Sequence, residues 1–275
     1  MLSDAVTIDG ESFVRLACFL IVLFSVSMME IMRPRRKLFY SKPRRWLTNL
    51  GFGLTNVLLI DLSLPILGVA AAITVENFGW GVFNFIDLPF LLSVPLYLLL
   101  FDLTIYFQHR CFHAYAPLWK FHQMHHSDGD YDSSTGLRFH PVSILISSLI
   151  KLCLIFVIGP PAIAVLLSEV ILNATSIFNH SNWRLNRRID TVLRLFLVTP
   201  DVHRIHHSKS KDEQNYNFGF NFLWWDKIFG TYKEKPELGH QSMHIGIADF
   251  EGRQCINYLS LLNEPFKTKK EKVNL

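Results

Sequence analysis

Charge is scarce in this chain of 275 residues: 18% are Asp, Glu, Lys or Arg, while half are hydrophobic. That balance excludes an ordinary soluble enzyme of this size and points to a membrane. Cysteine is scarce too. Cys18, Cys111, Cys153 and Cys255 stand far apart without a Cys-x-x-Cys spacing, which argues against a disulfide framework and a cysteine-rich zinc site. Paired carboxylate motifs are missing. Glu237 and His240 form one Glu-x-x-His, whereas a carboxylate-bridged di-iron bundle needs two, with further glutamates on other helices. Asp128, Asp130 and Asp132 begin like a calcium loop, but Ser133 stands where glycine is required and Phe139 where a bidentate glutamate belongs. The net charge of +4 comes from one basic loop and from Lys267, Lys269, Lys270 and Lys272, so no nucleic-acid partner is expected.

Histidine, by contrast, is plentiful and clustered. Nine of the twelve fall into four groups: His109 and His113; His122, His125 and His126; lone His180; and His203, His206 and His207. Residues three and four apart share a helix face, so the imidazoles of such pairs can aim at one point. The second and fourth groups repeat one pattern, His-x-x-His-His-Ser. Imidazole suits iron, zinc, copper and nickel, and nine exceed what one ion accepts, so two metals are the economical reading.

Apolar runs cover Phe13 to Met32, Leu47 to Ile73, Pro89 to Phe107, Val142 to Ile158 and Ala162 to Phe178. The first is long enough to span and lacks a small-residue cleavage site after it, so it reads as an anchor and not a signal peptide. Gly159, Pro160 and Pro161 join the last two into a tight hairpin. Arg33, Arg35, Arg36, Lys37, Lys42, Arg44 and Arg45 crowd the loop after the first run, which the positive-inside rule puts in the cytoplasm. Val75 to Asp87 holds Glu76 and no Lys or Arg, fitting the opposite side. Counting spans then brings all four histidine groups to the cytoplasmic face. The expectation is an all-α, multi-pass integral membrane protein with four or five embedded helices and a cytosolic histidine-rich helical cap. Residues 1–88 read as anchor helices and 89–275 as the catalytic domain, one structural unit together. Phe218, Phe220, Phe222, Trp224 and Trp225 are expected to seat the cap at the headgroups. The sequons at Asn173 and Asn179 fall in or beside the membrane on the cytosolic side, where glycosylation is not expected.

Asp102, Tyr106, His109, Arg110, His113, Trp119, His122, His125, His126 and Ser127 resemble the opening signature of the fatty acid hydroxylase and sterol desaturase superfamily. His180 with Ser181 and Asn182 resembles its isolated-histidine element. Pro200, His203, Arg204, His206, His207 and Ser208 resemble its last box, and Asn217 to Tyr232 its closing segment. The resemblance covers roughly the last two-thirds of the chain. It implies a non-haem di-iron enzyme with the nine clustered histidines as ligands, O2 as co-substrate and a lipid as substrate. Tyr131, Ser134, Thr135, Leu137 and Arg138 are most similar to the alkylglycerol monooxygenase branch and bacterial relatives. His140 and Pro141 are similar to the sterol-acting branch, so sterol, fatty acyl and alkylglycerol lipids all stay open. One departure is Ser176, where some hydroxylases pair a second histidine with His180.

An unactivated C–H bond offers no acidic proton, so acid and base groups cannot break it and the chemistry has to come from the metal centre. No haem-binding or flavin-binding domain is recognisable. That predicts a separate electron donor, a cytochrome b5-like protein, a ferredoxin or a reductase, with a reduced pterin open on the alkylglycerol branch. Asp102, Arg138, His140 and Asp226 are candidates to back the ligands, Asp102 by reaching the far nitrogen of a ligand histidine or else as a capped, buried acid. Lys151 and Glu169 come to nearly equal depth in the hairpin and are expected to form an ion pair or polar lining. Asp61 has no obvious partner and is a candidate for the substrate cavity. The alternative reading is a membrane metal-binding or transport protein without oxygenase activity. A transporter, however, would place ligands near the bilayer midplane, and a membrane haem protein would use intramembrane histidine pairs.

Overall fold

The structure is a computed structural model that describes residues 8–64, 66, 68–247 and 256–267. Cys255, Lys269, Lys270 and Lys272 lie outside the described residues. Within them the regular structure is helical, joined by isolated β-bridges only, as the sequence led us to expect. The first helices are α1 (Ile8–Met32), α2 (Lys42–Ser63), α3 (Val69–Asn77), α4 (Val82–Phe85) and α5 (Phe90–Ala114). They are followed by α6 (Ala116–His126), α7 (Pro141–Ile158), α8 (Ala162–Asn179), α9 (Arg187–Leu193) and α10 (Pro200–His206). Short helices α11 (Lys211–Gln214), α12 (Trp224–Ile228), α13 (Gly239–Ser242) and α14 (Tyr258–Asn263) complete the cap.

Among the described residues, four helices are long and apolar enough to cross a membrane: Gly10–Met32 of α1, α5, α7 and α8. Their outward faces carry uncovered side chains such as Phe13, Ile21, Phe24 and Leu91, as helices solvated by lipid do. Inward, Val69, Ala71, Ala72, Val75, Tyr97, Phe101, Ile155, Ala164 and Val165 build one core, with the alanines of α3 allowing close approach to its neighbours.

The second apolar run is where the structure departs from a simple span. It is broken into α2 and α3. The buried stripe of α2 is Arg45, Thr48, Asn49, Phe52 and Asn56, while Leu47, Leu54, Val57 and Leu62 face outward. This polar-inside pattern lowers its hydropathy. The pair still follows the length of α7. The Asn56 amide donates to the Phe139 carbonyl just before α7 begins. Gly81, after α3, lies so close to Gly159 at the far end of α7 that a Cβ there would collide with its backbone. Gly159 caps α7 in the left-handed region at φ 68° and starts the expected hairpin. The break faces charge. Gly68 adjoins Glu169, which pairs with Arg15 at 2.6 Å and with Lys151 at 3.7 Å. The expected Lys151–Glu169 contact therefore gains a third member. Asp61 is exposed on α2 and does not line the cavity described below.

Between α5 and α6 the chain turns sharply. Pro117, at the second position of α6, cannot donate to the His113 carbonyl four residues back, so α5 ends and α6 sets off anew. That turn brings the histidines of α6 back over those of α5. Glu30 joins α1 to the cap by accepting from the backbone N–H groups of Ser133 and Asn182, each at 2.7 Å.

Candidate metal centre

All nine clustered histidines come together at the cap end of the helices, divided into two groups. His109 and His113 of α5, His122 and His126 of α6, and His206 of α10 form one. His125 of α6, His180 just after α8, His203 of α10 and His207 just after α10 form the other. Within each group, one ring nitrogen per residue lies within 4.8 Å of all the others. The repeated motif is used crosswise. The first copy gives its outer pair to the five-histidine group and its middle residue to the four-histidine group, and the second copy does the reverse.

Four imidazoles are clamped by backbone carbonyls. The Nδ1 atoms of His109, His125, His180 and His206 lie 2.9, 3.2, 2.7 and 2.9 Å from the carbonyl oxygens of Phe218, Arg138, Ser176 and Tyr216. A carbonyl only accepts, so each Nδ1 carries the proton and each Nε2 a lone pair. Yet His125 Nε2 faces His180 Nε2 at 3.1 Å, and His206 Nε2 faces His109 Nε2 at 3.0 Å. Lone pair against lone pair is repulsive unless a cation lies between. Each facing pair would be reconciled by one ion held by both nitrogens. Further buried nitrogens, His122 Nε2, His126 Nδ1, His203 Nδ1 and both of His207, find no hydrogen-bond partner. The residues thus fit a pair of metal ions, with carbonyls behind the ligands as metal-bound histidines usually have.

Burial holds the imidazoles of His122, His125, His126, His203, His206 and His207 well below the usual histidine range, and brings His180 down to about 4. All are therefore neutral near pH 7, the form that binds metal. Rings fix rings around them. Phe139 stacks on His125 at 4.3 Å, Trp119 contacts His113 and His126, and Tyr131 contacts His180 and His207.

The candidate backing groups resolve differently. Asp102 does not reach a ligand histidine. Its carboxylate accepts from the N–H groups of Asn221 and Phe222 and from Trp225 Nε1, the capped-acid alternative, because His109 spends its Nδ1 on a carbonyl. Asp226 accepts from the N–H groups of Phe218 and Gly219 and from Thr231 Oγ1, and so holds the segment whose carbonyls clamp His109 and His206. The Arg138 side chain bonds the Met124 carbonyl, Asn49 and Ser127, and its own carbonyl clamps His125. His140 caps α7 through the Val142 N–H, donates to the Leu262 carbonyl and stands apart from both groups. Ser176, in place of a paired histidine, contributes its carbonyl to His180. Phe218 and Phe220 do not seat the cap: they contact His109, with Phe218 also against His113 and His206 and Phe220 against His203. Phe222 and Trp224 stack on each other in partly exposed positions nearer the surface.

Sequence reasoning missed the role of Arg45. It is fully buried and grips Asp128 through Nε and Nη2 at 2.8 and 2.7 Å, and Asp132 through Nη1 at 2.6 Å. Asp130 accepts from the N–H groups of Phe39 and Tyr40. The alternating aspartates therefore anchor the cap's inner turn, and the Arg45 guanidinium is a main reason that Asp128 sits at about 2 despite its burial. Only the Asp-x-Asp-x-Asp spacing signalled this turn.

Residues 94–231, half of the chain and the stretch that holds all nine histidines, match the family described as fatty acid hydroxylase. Ornithine lipid hydroxylase OlsE of Rhizobium tropici is 32% identical over 185 residues, covering 67% of this chain and 53% of that protein. Alkylglycerol monooxygenase of Homo sapiens is 33% identical over 138 residues, 50% of this chain and 29% of that protein. Delta(7)-sterol-C5(6)-desaturase of Nicotiana tabacum is 24% identical over 176 residues, 62% of this chain and 57% of that protein. The chain spans about half or less of the length of the first two and little more of the third. No solved structure matches. With the matched stretch enclosing both histidine groups and their backbone clamps, the chain belongs to the fatty acid hydroxylase family.

Proposed function

We propose that this chain is a membrane-bound, non-haem di-iron oxidoreductase that uses O2 to hydroxylate or desaturate a lipid, with the nine clustered histidines as iron ligands. The observation that carries this reading is the pairing of proton-free nitrogens 3.0–3.1 Å apart in each group. Bound iron would supply reduction of O2 and hydrogen abstraction from an unactivated C–H bond. Hydroxylation consumes R–H, O2, two electrons and two protons and yields R–OH and water. Desaturation of a CH–CH unit consumes the same reagents and yields C=C and two waters.

The chain's own residues prepare that chemistry. Four carbonyls set the tautomers, burial keeps the imidazoles neutral, and Phe139, Tyr131 and Trp119 fix the rings and exclude water. Phe218 and Phe220 give the five-histidine group an apolar wall suited to a hydrocarbon chain. Identity is higher to the ornithine lipid hydroxylase and the alkylglycerol monooxygenase than to the sterol desaturase. A chain-bearing polar lipid is accordingly preferred over a sterol. Residues 89–275 serve as the catalytic unit, tied to the anchor through Glu30 and Arg45.

The active face is read as cytoplasmic, from the basic loop after α1. We read α2 and α3, which jointly follow α7, as one crossing, and the orientation rests on that reading. A separate redox protein of the cytochrome b5, ferredoxin or reductase kind would deliver the electrons there. The test is metal content per chain by mass spectrometry on gently purified protein, with a visible spectrum. Near two irons and no haem Soret band is expected. One zinc, or no metal after anaerobic reconstitution with iron, would overturn the reading and leave a metal-binding or transport role.

A further inference from the structure

Beside the end of α1, on the face of the bundle that carries the histidines, lies a cavity of about 710 Å³ lined by Arg33, Pro34, Arg35, Arg184, Asn186, Arg187, Asp190 and Asp201, among others. Its two walls are sewn together. Pro34 and Trp183 form an antiparallel bridge, with Arg35 N donating to the Asn182 carbonyl and Arg184 N to the Arg33 carbonyl. Four arginines therefore meet two acids, and both acids are already engaged. Asp201 holds Arg35 at 2.9 Å and also pairs with Arg204, while Asp190 holds Arg194 at 2.7 Å. Among the described residues, Arg33, Arg184 and Arg187 have no ion-pair partner, and all three are exposed around one hollow.

Three uncompensated guanidiniums around one cavity repel one another, and guanidinium geometry matches phosphate oxygens. The setting is amphipathic. Ile31 and Met32, 65% and 58% exposed, end α1 immediately before Arg33, and Phe24, Met28 and Ile31 continue that uncovered face down the helix at four- and three-residue spacing. Ile189 and Val192 are exposed on α9 beside Arg187. We propose that this cavity binds the phosphate of an anionic phospholipid, whose acyl chain lies along the exposed face of α1. An acidic protein would find the same charge, but the apolar side chains running from the arginines along a membrane-crossing helix favour a lipid.

The test is native mass spectrometry of the full chain in zwitterionic detergent, titrated with phosphatidylglycerol or phosphatidylcholine, for the wild type and for R33Q/R184Q/R187Q. One phosphatidylglycerol should bind per chain. The triple variant should bind it more weakly by a factor of roughly five per arginine, compounding to on the order of a hundredfold. Phosphatidylcholine should bind weakly to both proteins. Circular dichroism melting should be unchanged, since all three arginines are exposed. Equal retention of phosphatidylglycerol by the variant, or no preference over phosphatidylcholine, would overturn the site. Equal competition by inorganic phosphate or soluble glycerol phosphate would assign it to a free anion instead of a lipid. An acidic redox protein that loses binding to the variant while lipid retention stays constant would make the cavity a protein-docking surface and overturn the lipid assignment.

Discussion

The two histidine groups draw on the same repeated motif, yet they lean on different parts of the chain. In the five-histidine group, His109 and His206 are clamped by the carbonyls of Phe218 and Tyr216, which stand on either side of Asn217 in one irregular segment. Asp102 and Asp226 pin that segment to α5 and to the closing loop. In the four-histidine group, His125 and His180 are clamped by Arg138 and Ser176, which flank the turn held by Arg45, Asp128 and Asp132. Ser176 also bonds that turn, through its hydroxyl to the Gly136 carbonyl. One buttress is neutral donors around buried acids, and the other is an ion pair. The crossed use of the motif keeps the groups adjacent, while the separate buttresses allow each to be disturbed alone.

The largest effect should come from the ligands. His206→Ala removes a nitrogen from the first group and His125→Ala one from the second. Each should abolish turnover and lower bound metal from two ions toward one, with the protein still inserted, because both lie outside the spans. Metal analysis of the two variants should therefore look alike, while iron spectroscopy should show a different ion lost in each. Normal turnover in either variant would remove that residue from the centre.

Arg45→Gln comes next. It leaves Asp128 and Asp132 buried without their cation, a class of change that costs about 3–5 kcal/mol. Its effect on metal should be selective. The four-histidine group should lose affinity by roughly 10–100-fold, the usual effect of disturbing the groups behind metal ligands, with the five-histidine group spared. Metal titration against thermal melting would check this. Equal weakening of both groups would mean that they behave as one unit and that the separation of buttresses has no energetic meaning.

Acidification should strike both groups together. Burial lowers His180 from 6.5 to about 4, so below 6.5 the unfolded chain binds a proton that the folded chain refuses. Stability is fully present above about pH 6.5 and is lost as pH falls toward 4, His180 alone accounting for about 3 kcal/mol of the metal-free protein. The other buried imidazoles act with the same sign. Melting temperatures of metal-free protein should fall steadily from pH 7 to pH 5, and a flat profile would contradict the buried, neutral state of these rings.

Much of this was legible because spacing encodes it. Histidines at helical intervals, the Gly159–Pro160–Pro161 hairpin and the first helix follow from period and length alone. What escaped notice depends on partners distant in sequence. Arg45 counts as one more basic-loop charge until Asp128 and Asp132, more than eighty residues away, close on it. The break between α2 and α3 was hidden because α2 turns its polar stripe inward, so a hydropathy average cannot tell its buried face from its lipid face. Carbonyl clamps carry no side-chain signature whatever, which is why spacing alone leaves Asp102 open between backing a histidine and being a capped acid, when His109 in fact bonds the Phe218 carbonyl. Phe218 and Phe220 read as interfacial aromatics until the fold set them against imidazoles.

Asp226→Asn should give the smallest change in stability and the sharpest view of the first buttress. Burial pushes the Asp226 carboxyl up to about 6, so its charge is disfavoured in the fold and its contribution weakens as pH rises through 3.8 toward 6. Asparagine removes that burden. It also offers one acceptor where two backbone N–H groups and the Thr231 hydroxyl now find two, leaving a buried donor unmet at a cost of about 1–3 kcal/mol. The two effects oppose, so the melting temperature near pH 7 should move little. The Phe218 carbonyl, however, sits on the residue whose N–H loses its charged acceptor, and it is the carbonyl that fixes the His109 tautomer. Affinity of the five-histidine group should therefore fall by about tenfold while that of the four-histidine group holds. A shift of comparable size in the four-histidine group would show that the 216–226 segment supports both, and the contrast between the two groups would then reduce to their ligands.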